Sequence, residues 1–129
     1  MQATDISAQE REIRLGDRVI NARFDHYMMR QAEMYYQQTT MRRLGFYGIV
    51  DQAIARTYSG LGAIAYGASA AAAMAEEKKP LSMQAFDRMF DYEALRAAAS
   101  DMIFGTLELL PKPKKSGAEN GEKNAESQT

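Results

Sequence analysis

The chain has 129 residues, 46% hydrophobic and 26% charged, the make-up of one globular domain with a single small core. Its net charge of −1 supplies no overall field to draw it to nucleic acid or an anionic membrane. With no cysteine, disulfides, thiolate catalysis and cysteine-ligated zinc are excluded.

Residues 1–11 are polar and carry Asp5 and Glu10. They lack the basic start and apolar run of a secretory signal, so a flexible N-terminus and a cytoplasmic address are expected. In 12–24, EIRLGDRVINARF, the apolar residues Ile13, Leu15, Val19, Ala22 and Phe24 flank Gly16-Asp17, which reads as a small β-hairpin. Asp25 is placed to cap a helix over HYMMRQAEMYYQQTT. Its core stripe is Met28, Ala32, Tyr35 and Tyr36, with Met29 at the edge, and Gly45 is expected to end the unit. A second helix puts Ile49, Val50, Ala53, Ile54 and Thr57 on one face. It either runs on into the next segment or breaks at Ser59-Gly60.

From Thr57 to Ala75 there are nineteen residues without a charge. The length approaches a membrane span, but Leu61, Ile64 and Met74 are its only large aliphatic-type side chains, and alanine and glycine gain little from lipid. Gly60, Gly62 and Gly67 miss the dinucleotide spacing, with no strand before them. The expectation is a helix whose small residues admit another backbone, charged from Glu76 to Lys79 and stopped by Pro80. Ser82 then caps a short helix to Phe90, with Met83, Phe86, Met89 and Phe90 on one face. Asp91 caps a last helix, Tyr92 to about Leu110, striped by Leu95, Ala98, Ala99, Met102, Thr106, Leu109 and Leu110. Residues 111–129 have no large apolar side chain and are expected to be a disordered tail. The fold class expected is therefore mainly α: one domain over 12–110 with four to five helices and an N-terminal β-hairpin.

Chemistry is thin. His26 is the only histidine, and its neighbour Asp25 points away from it on a helix start. Asp87 and Asp91, at i and i+4, read as a solvated face and a cap rather than a cation pair. Ser69 and Ser100 have no histidine to activate them. Arg42-Arg43 is a short pair, and Lys112, Lys114 and Lys115 face Glu119, Glu122 and Glu126 in the tail, without interleaved aromatics. The expectation is no enzyme, cofactor, metal, nucleic acid or membrane. What stands out is nine methionines, an adaptable side chain common on partner surfaces. On the first helix Tyr27, Met34 and Met41 repeat every seven residues, nearly opposite the core stripe. A helix apolar on two faces binds with one of them unless both are covered, here by the hairpin. These three residues are the candidate contacts to another chain.

The order of segments is a hairpin ending in NARFD, a helical middle with Thr57-Tyr58-Ser59-Gly60-Leu61 before small residues, then Leu81-Ser82, Phe86-Asp87, Phe90-Asp91 and a final helix ending at Leu110-Pro111. Over about residues 12–111 this resembles the tail assembly chaperones of bacteriophages with long, flexible, non-contractile tails. The resemblance implies a protein that binds the tape measure protein in the host cytoplasm, keeps it soluble and promotes tube assembly around it. It implies absence from the mature virion, while self-association, or contact with the tape measure helix, is what the stripe of Tyr27, Met34 and Met41 suggests. It also implies contact with the tail tube protein through a longer product made by ribosomal frameshifting, of which this chain is the short form. A small head–tail connector or tail protein, and a helical protein-binding regulator, are the alternatives. They separate by retention in purified particles and by preference for one compact partner.

Overall fold

A computed structural model describes residues 9–110. The expected disordered tail, 111–129, lies outside them.

Strands β1 (Gln9–Leu15) and β2 (Arg18–Phe24) form an antiparallel hairpin with Ile13 opposite Ile20. β1 begins at Gln9, inside the stretch expected to be flexible: Arg11 pairs with Ala22, and Glu10 forms an ion pair with Arg23. Gly16 has φ +68° at the first position of the two-residue turn, the type II′ pattern that matches strand twist. Ile13, Leu15, Ala22 and Phe24 are buried, with Ile20 packed against them. Val19 instead faces solvent, because the register puts Ile20, not Val19, in step with Ala22 and Phe24.

Helix α1 (His26–Thr40) follows at once. The Asp25 carboxylate accepts the Met28 N–H at 2.9 Å and holds Arg23 at 2.8 Å, so one side chain caps the helix and fixes the hairpin's exit. The expected stripe of Met28, Ala32, Tyr35 and Tyr36 is buried. α1 does not run on to Gly45. It ends at Met41, which adopts the left-handed conformation at φ 61° and donates its N–H to Gln37. Gly45 instead opens α2 (Phe46–Ile54), and Glu33 of α1 accepts the Phe46 N–H at 2.9 Å in place of a local cap. α2 buries Phe46, Ile49, Val50 and Ala53 but leaves Ile54 exposed.

The break before the alanine stretch falls at 55–57, where Arg56 is left-handed. Thr57 lies off the α2 face and caps α3 (Tyr58–Ala75), accepting the Gly60 N–H at 3.1 Å. α3 is the hub of the domain: α1, α2, β2 and the three helices that follow all pack on it. Every residue from Gly60 to Ala68 is buried. A helix buried on all sides with alanine-sized side chains admits neighbouring backbones at short range. A methyl at Gly60 would lie 2.6 Å from the Ala53 nitrogen of α2. Among the described residues, no helix is long and apolar enough to cross a membrane. α3 closes with Glu77 left-handed, Lys78 N–H on Ala73 and Glu77 N–H on Met74, a Schellman turn that ends the helix before Pro80.

α4 (Met83–Met89) and α5 (Tyr92–Ala97) start at the expected caps: Ser82 accepts Ala85 N–H at 3.0 Å and Asp91 accepts Ala94 N–H at 2.9 Å. The single helix expected from Tyr92 divides at Ala98 into α5 and α6 (Ala99–Leu109), making six helices among the described residues. Its stripe survives the division, for Leu95, Ala98, Ala99, Met102 and Thr106 are all buried. Thr106 satisfies its hydroxyl on the Met102 carbonyl at 2.8 Å.

The tight fit around α3 makes a direct prediction. Ala65→Leu or Ala68→Leu, at positions with no exposed surface, is expected to cost about 1–3 kcal/mol by overpacking, read as a lower denaturation midpoint in urea. An unchanged midpoint would mean that the neighbours of α3 yield freely.

Candidate partner surface

The three sequence candidates do not share one environment. Met34 is 50% exposed and Met41 is 86% exposed. Tyr27 is half-buried against the core, close enough to Tyr66 that its field helps to raise the Tyr66 phenol pKa, an effect second to burial. The hairpin packs mainly on α3 and α6, and Met34 and Met41 stay exposed. Met34 instead flanks a shallow groove between α1 and the 41–45 loop, lined also by Glu33, Gln37, Arg43 and Leu44, of about 370 Å³. The Gln31 amide donates to the Met34 sulfur at 3.8 Å. The result is a flexible apolar side chain at a groove edge, with both charge signs beside it. Such a surface can grip an apolar helix stripe while its polar rim stays hydrated.

Met41 has a second peculiarity. Its backbone is left-handed, where glycine or asparagine carries less strain. Its side chain is the most exposed of the large hydrophobics among the described residues. Local stability thus argues against methionine on both counts.

The aromatic cluster behind α1 was not legible in sequence. Tyr35 stacks on Tyr66 at 5.1 Å, and Phe86 meets both rings edge-on. The Tyr35 hydroxyl donates to Asp87 at 2.5 Å, tying α4 to α1 across fifty-two residues of sequence, and Tyr58 approaches the same oxygen at 3.5 Å. Asp87 is thus a tyrosine partner, while Asp91 is the expected cap. Burial first, and then the hydrogen bond and charge of Asp87, push the Tyr35 phenol far above its ordinary pKa. Burial and Asp87 also raise Tyr58.

The consequence for stability has a definite sign. A phenol whose folded pKa is raised contributes fully below the unfolded tyrosine value of about 10 and loses its contribution above it. The melting temperature is therefore expected to be insensitive to these phenols below about pH 9 and to fall above about pH 10. Tyr35→Phe should flatten part of that alkaline fall. A Tyr35→Phe variant with the same alkaline profile would contradict the assignment.

His26 is exposed at the start of α1. Among the described residues, no group of three His, Cys, Asp or Glu side chains is placed to hold a metal ion. Comparison with protein-family models, curated proteins and solved structures returns no match to this chain.

Proposed function

We propose that this protein is a phage tail assembly chaperone that holds the tape measure protein in soluble form in the host cytoplasm while the tail tube assembles around it. The observation that carries the reading is Met41 at the end of α1, with Met34 exposed two turns earlier on the helix. A largely exposed methionine stands where backbone strain favours glycine or asparagine. Side chains that break a local rule without a stabilising return mark functional positions. One exposed thioether at the groove edge, Met34, and another at the end of α1, Met41, suit a long helical client whose contacts vary along its length.

The order of hairpin, central small-residue helix, Ser82-capped short helix and terminal helix supports the same reading through the resemblance given above. Self-association through the methionine face, and contact with the tail tube protein through a longer frameshifted product, belong to this proposal. So does absence from the mature virion. The test is co-expression of this chain with the tape measure protein of the same genome. The chaperone is expected to keep the client in the supernatant and to co-purify with it. If the client stays insoluble while the protein remains in purified particles, the connector reading replaces this one.

A further inference from the structure

The hairpin has a face that neither the core nor the methionine surface uses. With a two-residue turn, the closing pair Leu15–Arg18 is hydrogen-bonded, and so, at every second step, are Ile13–Ile20 and Arg11–Ala22. The N–H and C=O groups of Glu10, Glu12 and Arg14 therefore point away from β2. Among the described residues they find no partner: β1 pairs with β2 alone, and none of these groups enters a loop or side-chain bond. An unpaired edge is a template for another strand.

Open space lies beside the turn end of this edge, at Arg14 and Gly16. α5 and α6 pack against β1, and between them and Arg14 lies an open groove of about 540 Å³. Its wall includes Ala94 and Ala97, whose methyls leave room for a backbone. Phe104 of α6 is 55% exposed beside the same strand, with the Arg11 guanidinium over its ring at 5.1 Å. The charged residues lining the groove are Asp91, Glu93 and Asp101 against Arg14, a balance of −2. Asp91 is engaged in capping α5 and Glu93 lies 3.9 Å from Arg96; the Arg11 guanidinium donates to the Asp101 carbonyl at 3.5 Å, and the Asp101 carboxylate forms no ion pair among the described residues.

We infer that the outer edge of β1 is a docking edge for an extended, lysine-bearing segment of a partner polypeptide, which adds as a third strand. Backbone bonds to Glu10, Glu12 and Arg14 supply the register. Alternate apolar side chains of the incoming segment rest beside Phe104 and the alanines, and its lysines meet Asp101 and Glu93. The inference does not depend on the chaperone reading, since the methionine surface lies on α1.

The probe is a synthetic hexapeptide of alternating valine and lysine, titrated into the 15N-labelled full chain. Saturable amide shifts are expected at Glu10, Glu12 and Arg14, with a Kd of about 0.1–1 mM. The peptide N-methylated at alternate residues, which cannot pair, should bind at least tenfold more weakly, as should an alternating valine–glutamate peptide. On the protein side, Asp101→Lys should weaken the lysine peptide severalfold. Glu12→Pro should abolish binding, because it removes an edge donor that the hairpin ladder does not use. If Glu12→Pro misfolds, the N-methylated peptide against the unaltered protein still decides.

Shifts that are absent, or that map elsewhere, overturn the inference and leave the alternating charges as guards of an unused edge. Slow hydrogen exchange of these amides in the full chain without peptide also overturns it. If that protection vanishes on dilution, a second copy covers the edge. If it vanishes on deletion of residues 112–129, the chain's own lysines do.

Discussion

Gly67→Ala is expected to lower the melting temperature, although the same change in an exposed helix raises stability. By propensity alone, alanine gains about 1 kcal/mol over glycine in a helix interior. Here the added methyl would stand 2.6 Å from the Met28 carbonyl oxygen and 3.0 Å from the Ala32 nitrogen, both on α1. These are backbone atoms of a helix held at one end by the Asp25 cap and across its length by Met28, Ala32, Tyr35 and Tyr36. No rotamer change relieves the contact. α1 must move away from α3, and the Tyr35–Tyr66 stack moves with it. Overpacking of this kind costs about 1–3 kcal/mol, and against rigid backbone atoms the upper end applies, so a net loss of up to about 2 kcal/mol remains after the propensity gain. In a domain of this size that is a fall in melting temperature on the order of 10 °C. Gly67→Val should be worse, since a branched side chain adds volume at the same crossing. A Gly67→Ala variant that melts at or above the unaltered protein would show that the two helices separate cheaply.

The alanine stretch illustrates which parts of this fold the sequence makes legible. Absence of charge and scarcity of large side chains announce a helix that other backbones approach closely, and α3 is one, buried without a break from Gly60 to Ala68. Caps were equally readable, because a short polar side chain before an apolar run has one job: Asp25, Ser82 and Asp91 each accept the expected N–H. Helix ends were readable only in part. The sequence put the end of the first helical unit at Gly45 and left open a run-on or a break at Ser59-Gly60, while the charged end it gave the alanine helix, Glu76 to Lys79, is where α3 closes. The chain turns at Met41, Arg56 and Glu77, three non-glycine residues with positive φ. Local helix-end hydrogen bonds close the turns at Met41 and Glu77, on residues that a search for glycine and proline passes over.

The same limit applies to the candidate surface. Seven-residue spacing put Tyr27, Met34 and Met41 on one stripe. Met34 and Met41 are exposed, but Tyr27 is long enough to lean back onto the core. The link from Tyr35 to Asp87 spans too much sequence for any local motif to mark. The methionine at position 41 is informative only once its backbone conformation is known.

That difference decides the variants that test the partner surface. Met34→Lys is expected to leave the fold intact and to abolish client capture. Half of Met34 is already in water, and lysine keeps its stem on the apolar surface with its charge in solvent, so the stability change should stay within about 0.5 kcal/mol. An interface anchor behaves otherwise. Burying an unpaired ammonium against an apolar client stripe carries the penalty of a central contact, about 2 kcal/mol or more, which is about a thirtyfold loss of affinity. Met41→Lys should act in the same direction, and the double variant should be inactive. Tyr27→Lys is a poorer companion, because it removes a partly buried ring and perturbs the core beside Tyr66. Met41→Gly separates strain from binding: it should raise the melting temperature by relieving the left-handed backbone, yet weaken capture by removing the thioether. Circular dichroism reports the fold, and co-purification with the tape measure protein reports capture. A Met34→Lys protein that unfolds would place Met34 in the core. One that folds and still captures its client would move the partner surface off this face of α1.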